Sequence, residues 1–241
     1  MPENFIQKIL TAYYYQKEIP MSDKKLPLPK LAIFDMDGLL FDTEALFQRT
    51  KAVVMKKYGY EQRPGDYEKT LGTCGDTLNR ILHELYGEAY PADTISQETR
   101  KLVNQYIDVQ GPPVKPGIPT LLAWFQEHHV SCYVASSTRT DIVKKYLAQA
   151  ELDTYFSFVI GGDQVSHSKP NPEIFLKACA QAQTDPEQAL VLEDSQNGVL
   201  AAINGNIPVI CIPDVGTPED EVLKKTAAVV SSAADVPSLF T

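Results

Sequence analysis

The chain of 241 residues is long enough for one substantial hydrophobic core, or for a core that carries a smaller inserted unit. Its 44% content of hydrophobic residues is that of an ordinary globular protein, which excludes a disordered or fibrous chain. The formal net charge of −9 argues against nucleic acid or an acidic membrane surface as a partner, but leaves a small anionic ligand in a cleft open.

Residues 1–21 are interpreted as an N-terminal extension of the folded unit. They contain Tyr13, Tyr14 and Tyr15 and end at a second methionine, Met21, where the native start could lie. The beginning of the chain lacks a basic segment followed by a sustained apolar one, and no apolar run approaches the roughly 20 residues that span a bilayer. The four cysteines show no zinc or redox spacing. We therefore expect a cytoplasmic protein with free thiols that does not insert into membranes.

Short apolar runs bounded by polar residues, glycine or proline predict strands that are buried on both faces. These runs are 31–34, 132–135, 158–160, 189–192 and 207–212. Segments with helical spacing of apolar residues lie between the later runs. This alternation predicts β-α-β units, and hence an α/β fold with a doubly wound, Rossmann-like parallel sheet. Ligands of such sheets bind outside the carboxyl ends of the strands.

One long stretch breaks the alternation. Residues 44–110 show helical patterns, such as Leu78, Ile81 and Leu82, but no convincing strand. A segment rich in proline and glycine at 111–117 then returns the chain to the sheet. We predict a core domain formed by residues 22–43 and 111–241, with 44–110 as a helical cap domain that lies over the site as a lid.

Polar side chains follow four of the predicted strands. Asp35 and Asp37 follow the first one, where a local period of two can point both carboxylates the same way. Such a pair can share a divalent cation and divide a phosphoryl transfer between a nucleophile and an acid/base. Ser136 and Ser137 follow the second strand near a predicted helix start, where hydroxyl and amide groups can hold phosphate oxygens or simply cap the helix.

The other two groups supply a cation and more carboxylates. Lys169 precedes a helix that we expect to begin at Pro172 with Asn171 as its cap, so its ammonium is free to meet an anion. Glu193 and Asp194 end the fourth run, and buried carboxylates are costly without a compensating cation. Oxygen ligands of this kind suit magnesium better than zinc. Solvated acids, helix caps and a surface lysine are the ordinary alternatives, but the common position of all four groups at strand ends favours a site.

Four motifs carry a resemblance to a known family: Asp35-Met36-Asp37-Gly38, Ser136, Lys169 and Glu193-Asp194. On these motifs the chain from residue 31 onward resembles the haloacid dehalogenase-like hydrolase superfamily. The likeness is to its branch with a small helical cap and to the β-phosphoglucomutase-like and sugar-phosphatase-like group. The resemblance implies that Asp35 attacks phosphorus and forms an aspartyl-phosphate. It also implies that Asp37 protonates the leaving oxygen and then activates water.

The same resemblance implies the ligands of a metal and of the phosphoryl group. Mg²⁺ would be held by the Asp35 carboxylate, the main-chain carbonyl of Asp37 and Asp194, with Glu193 as a further ligand or a neighbouring partner. Ser136, Ser137 and Lys169 would bind the phosphoryl group.

The expected function is therefore Mg²⁺-dependent hydrolysis of a small phosphomonoester, such as a sugar phosphate, by a monomer or weak homodimer. Cap residues should choose the substrate, and the candidates are Thr43, Glu44, Phe47, Thr73 and Asp76. Phe47 fits the core of the cap equally well, and Asp76 fits an N-cap.

Two other functions stay open. A β-phosphoglucomutase-like mutase resembles this chain in core and cap, but looks as if it needs a cap arginine shortly after a glycine, and a histidine where Phe47 stands. Residues 71–76 contain no arginine, so both departures favour hydrolysis. A non-catalytic regulatory protein of the same fold would be expected to lack the nucleophile or the acid, and both are present.

Overall fold

The structure, a computed structural model, describes residues 25–70, 73 and 75–240. The interpreted extension at 1–21 lies outside these residues, as do Leu71, Gly72 and Cys74 of the cap segment. No helix within the described ranges is long and apolar enough to cross a membrane. The cytoplasmic location and the oligomeric state remain predictions from the sequence.

Six parallel strands form one sheet in the order β3-β2-β1-β4-β5-β6. The strands are β1 (Leu31–Phe34), β2 (Ser131–Ala135), β3 (Phe158–Ile160), β4 (Ala189–Glu193), β5 (Val209–Cys211) and β6 (Ala228–Val229). The predicted α/β class with a doubly wound parallel sheet is confirmed, and all five expected strands are present. The sequence interpretation missed β6, because two residues at a sheet edge are too few to show a pattern.

Helices cover both faces of the sheet, and its central strands β1 and β4 are buried along their whole length. They are α4 (Ile118–Glu127), α5 (Thr140–Gln149), α6 (Glu173–Gln181), α7 (Gln196–Asn204) and the short α8 (Asp220–Leu223). Phe34 of β1 belongs to the core cluster that contains Phe125 of α4, whereas Ile33 belongs to the cluster that contains Phe175 of α6. Since alternate residues of β1 serve opposite faces, the strand reads as a continuous apolar run.

Helices alone are found among the described residues between β1 and residue 110. We call residues 43–110 the helical segment. It contains α1 (Thr43–Lys57), a 3₁₀ turn (Glu68–Thr70), α2 (Gly75–Tyr86) and α3 (Ala92–Gln110). Val54, Met55 and Leu82 anchor its own small core, and a second cluster joins Leu46 to Ile107. The absence of strands was expected, while the proposed domain limits stay a prediction.

Two linkers connect the helical segment to the sheet and lie side by side. The amide of Asp42 donates to the carbonyl of Pro113 at 2.8 Å, and the amide of Lys115 donates to the carbonyl of Leu40 at 2.9 Å. Phe41 and Val114 form the antiparallel bridge between these bonds. The chain thus leaves and re-enters the core at one place, beyond the carboxyl end of β1.

Two helix starts differ from expectation by about one residue. The helix α6 begins at Glu173 with Pro172 as its N-cap residue, so the expected start at Pro172 was wrong. Asn171 still contributes, because its side-chain oxygen accepts the amide of Glu173 at 3.0 Å. The helix α2 begins at Gly75, which puts Asp76 inside its first turn and not at the N-cap.

Candidate active site

Lys169 joins the carboxyl ends of three neighbouring strands. Its ammonium donates to Asp35 Oδ1 after β1, to Glu193 Oε1 at the end of β4 (2.8 Å) and to the carbonyl of Ala135 at the end of β2 (3.3 Å). The lysine and glutamate side chains are only 6% and 1% exposed, so solvent does not screen these contacts. The ammonium of Lys169 also lies over the ring of Phe175, whose centroid is 4.7 Å from Nζ.

Glu193 has both carboxylate oxygens engaged. Oε1 accepts from Lys169, while Oε2 accepts from the amide of Ser195 at 2.8 Å and from its hydroxyl at 3.0 Å. The Ser195 hydroxyl in turn accepts the amide of Gly198 at 3.2 Å and caps α7. A Cβ at Gly198 would lie 1.6 Å from Glu193 Oε1, so only glycine lets the carboxylate rest against this helix. Sequence reasoning did not assign Ser195 or Gly198; a glycine in the first turn after an acidic strand end was the available signal.

Three carboxylates converge beside the lysine. Asp35, Glu193 and Asp194 each offer an oxygen within 4.8 Å of the others. Gly38, with φ of +85°, makes room for this approach, because a Cβ there would lie 2.2 Å from Asp194 Oδ2. If all three acids are ionised, one lysine leaves two negative charges without compensation. A divalent cation that prefers oxygen ligands fits both this donor set and this charge.

Burial is the largest influence on the pKa of both aspartates of the cluster, Asp35 and Asp194. It raises the pKa of Asp35 to about 7; Lys169 opposes this, and Glu193 and Asp37 add to it. Burial raises the pKa of Asp194 too, with further increases from Glu193 and Asp35. Burial alone would lower the pKa of Lys169, but the carboxylates of Asp35 and Glu193 outweigh it and raise the pKa. The lysine therefore stays cationic, and the acids repel one another.

Asp37 is held by two threonine hydroxyls. Thr43 Oγ1 donates to Asp37 Oδ1 at 2.8 Å, and Thr138 Oγ1 donates to Oδ2 at 2.7 Å. The Thr138 amide donates to the hydroxyl of Ser136 at 3.1 Å, and Ser136 is buried with 1% exposure. Ser137 is exposed in the same loop. Sequence reasoning gave Thr138 no role, and its bond to Asp37 was not foreseen.

The cap candidates divide into two groups. Thr43 reaches the site through Asp37, and Glu44 follows it in a half-buried position. Burial raises the pKa of Glu44 to about 7, and the nearby Asp214 and Asp37 add to the shift.

The remaining three candidates have local roles in the described part of the chain. Phe47 packs against the cluster of Leu46 and Ile107, as its alternative interpretation allowed. The Thr73 hydroxyl donates to the carbonyl of Thr70 at 2.7 Å. Asp76 is exposed on α2. No hydrogen bond or ion pair among the described residues connects these three with Asp35 or Asp37.

Carboxylate pairs and a buried lysine at the carboxyl edge of a doubly wound parallel sheet are typical of α/β enzymes that carry out phosphoryl chemistry. Residues 32–212 match the family model described as haloacid dehalogenase-like hydrolase. The chain belongs to this family, and the resemblance drawn from its motifs is confirmed.

Named relatives include two phosphatases. A Drosophila melanogaster protein named "Probable pseudouridine-5'-phosphatase" is 30% identical over 91% of this chain and 97% of its own length. Hexitol phosphatase B of Escherichia coli is 28% identical over 76% of this chain and 82% of its own length. Among solved structures, β-phosphoglucomutase from Clostridium difficile superposes with a TM-score of 0.62 and 23% identity, covering 87% of this chain and 93% of the other. That last likeness shows the fold alone.

Proposed function

We propose that this chain is a Mg²⁺-dependent phosphatase that hydrolyses a small phosphomonoester, such as a sugar phosphate, through an aspartyl-phosphate on Asp35. The observation that carries the proposal is the bridge from Lys169 to Asp35 and Glu193, with Asp37 fixed by two hydroxyls nearby. The named hexitol and pseudouridine phosphatases support the substrate class.

The chain's own residues account for both chemical steps. An Asp35 oxygen forms a bond to phosphorus while the ester P–O bond breaks, and Asp37 gives a proton to the departing alcohol oxygen. In the second step water attacks phosphorus, Asp37 takes the proton, and the bond from phosphorus to Asp35 breaks to release phosphate. Lys169, held cationic by its carboxylate partners, offsets the charge of the transferring group, which Ser136 and Ser137 would help to bind.

Mg²⁺, when bound, supplies neutralisation of the negative charge shared by the carboxylates and the phosphoryl group. The carboxylates of Asp35 and Asp194 and the main-chain carbonyl of Asp37 would hold it. Glu193 already has one oxygen on Lys169 and the other on Ser195. Its contacts therefore favour a role as the partner that positions Lys169 over a role as a metal ligand.

The test is phosphate release from a panel of phosphorylated sugars, hexitols, glycolate and nucleosides, with Mg²⁺ and after complete chelation. Asp35→Asn should abolish turnover, whereas Asp37→Asn should accumulate a phosphoenzyme that can be trapped and seen by mass spectrometry. The exposed Asp153→Asn is the matched control and should retain the wild-type rate. Wild-type turnover by Asp35→Asn would place the nucleophile elsewhere, and full activity without metal would refute the Mg²⁺ assignment.

The mutase alternative has its own assay. The protein is incubated with β-glucose 1-phosphate and a bisphosphate activator, and glucose 6-phosphate is measured. Efficient isomerisation would overturn the preference for hydrolysis. We expect free phosphate instead, because the place proposed for the mutase histidine is occupied by Phe47, which packs into an apolar cluster.

A further inference from the structure

Asp37 accepts one hydrogen bond from the helical segment and one from a loop of the sheet. Thr43 is the first residue of α1 in the helical segment, while Thr138 belongs to the loop that follows β2 in the sheet. Their hydroxyls meet different oxygens of the same carboxylate, at 2.8 Å and 2.7 Å. Together the two bonds fix the plane of the carboxylate, which either bond alone would leave free to tilt.

The backbone of Thr138 is itself fixed on both sides. Its amide donates to the buried hydroxyl of Ser136 at 3.1 Å, and its carbonyl accepts the amide of Gly162 at 3.0 Å. Gly162 has no space for a side chain, since a Cβ would lie 2.2 Å from the carbonyl oxygen of Ser137. The Thr138 hydroxyl is thus presented to Asp37 from a rigid loop, and the loop that contains the proposed phosphoryl ligand Ser136 is tied directly to Asp37.

We propose that Thr138 is a positioning residue for proton transfer, which orients the Asp37 carboxylate toward the leaving oxygen and later toward water. The inference rests on the proposed phosphatase function. Because the Thr138 hydroxyl donates its hydrogen bond to Asp37, removal of this hydroxyl should affect proton transfer more than substrate binding. Displacing a catalytic group by about 1 Å can cost roughly 100-fold in rate.

The experiment compares Thr138→Val, which keeps the shape without the hydroxyl, with Thr138→Ser, which keeps the hydroxyl. An alkyl ester, sorbitol 6-phosphate, needs a proton on its leaving oxygen, whereas p-nitrophenyl phosphate releases a stable anion without one. For Thr138→Val we expect kcat on the alkyl ester to fall by roughly 10- to 100-fold, with KM within about threefold of wild type. The first-turnover burst of nitrophenolate should stay within about threefold, because that step needs no acid. Thr138→Ser should recover most of the lost rate.

Thr140→Val is the matched control, because this nearby hydroxyl donates to Asp163 and not to Asp37. This control should leave unchanged the ratio of the rate on sorbitol 6-phosphate to the rate on p-nitrophenyl phosphate. A rise in KM without a fall in kcat for Thr138→Val would instead make Thr138 a phosphoryl ligand and overturn the inference. Equal slowing of both first-turnover rates, or no slowing, would also overturn it. A wild-type protein inactive on both esters would refute the proposed function itself.

Discussion

Replacing Glu193 by glutamine tests whether the bridge between strands stabilises the fold as well as the site. Glutamine keeps the volume but can offer only one acceptor where the carboxylate offers two. In one orientation the glutamine oxygen faces Lys169, and the glutamine NH₂ group then faces the amide of Ser195, which donates to Oε2 at 2.8 Å in the wild type. In the flipped orientation the NH₂ group faces the ammonium of Lys169. Either way one buried donor is left without a partner, at a cost of about 1–3 kcal/mol.

An opposing effect must be subtracted from this cost. Glu193 raises the pKa of Asp35 and Asp194, so removal of its charge relieves repulsion within the cluster. Lys169, however, loses one of two carboxylate partners in a place where it is 6% exposed, and breaking a buried pair is strongly destabilising. We expect the loss of the Glu193 hydrogen bonds to outweigh the relieved repulsion among the acids. The free energy of unfolding should then fall by about 2 kcal/mol, which lowers the Tm by roughly 4–8 °C in a chain of this size.

Urea unfolding at pH 7 without added metal measures this difference, with the exposed Glu187→Gln as a control that should unfold like wild type. With Mg²⁺ present, kcat should fall by roughly 10-fold or more, because Lys169 is no longer held in place. A variant as stable as wild type, or more stable, would show that repulsion among the acids exceeds the value of the Glu193 bonds and would refute the reasoning.

Two further substitutions probe neighbouring features. Gly38→Ala puts a Cβ 2.2 Å from Asp194 Oδ2 at a φ of +85°. It should cost about 1–2 kcal/mol in stability and raise the Mg²⁺ concentration for half-maximal activity by roughly 10-fold. An unchanged metal titration would contradict the placement of Asp194. Burial raises the pKa of Glu44 from 4.5 to about 7, so the folded protein holds this proton longer than the unfolded chain and loses stability as pH rises through that interval. Glu44→Gln should abolish this loss, giving urea unfolding less dependence on pH between about 5 and 7; an identical pH profile would refute it.

The main members of the candidate site could be chosen from the sequence because they directly follow strands. Parallel strands bring their carboxyl ends to one edge, and the observed pairing of β1 with β2 and with β4 then puts Asp35, Ser136 and Glu193 near one another. Lys169 is the exception, since it stands in a loop before α6, and its place became clear only from the family motif and then from its contacts.

Other features depended on side-chain directions that no periodicity encodes. The bond from Thr138 to Asp37 joins residues 101 apart in sequence and depends on the conformation of a loop. Gly198 received no role from the sequence, and only the structure shows Glu193 occupying the space of its missing Cβ. Phe47 could be assigned to an apolar cluster only after α3 had supplied Val103 and Ile107 as neighbours.

The paired linkers at Phe41 and Val114 have an evolutionary consequence. Departure and return of the chain are joined by backbone bonds at a single point, and none of the six strands contains a residue that lies between them. An insert with closely spaced ends can be lengthened, replaced or exchanged between genes with little effect on the unit that hosts it. Chemistry inherited with the sheet can then be combined with selectivity acquired from a different insert, so that a lineage can change its substrates while its reaction is preserved.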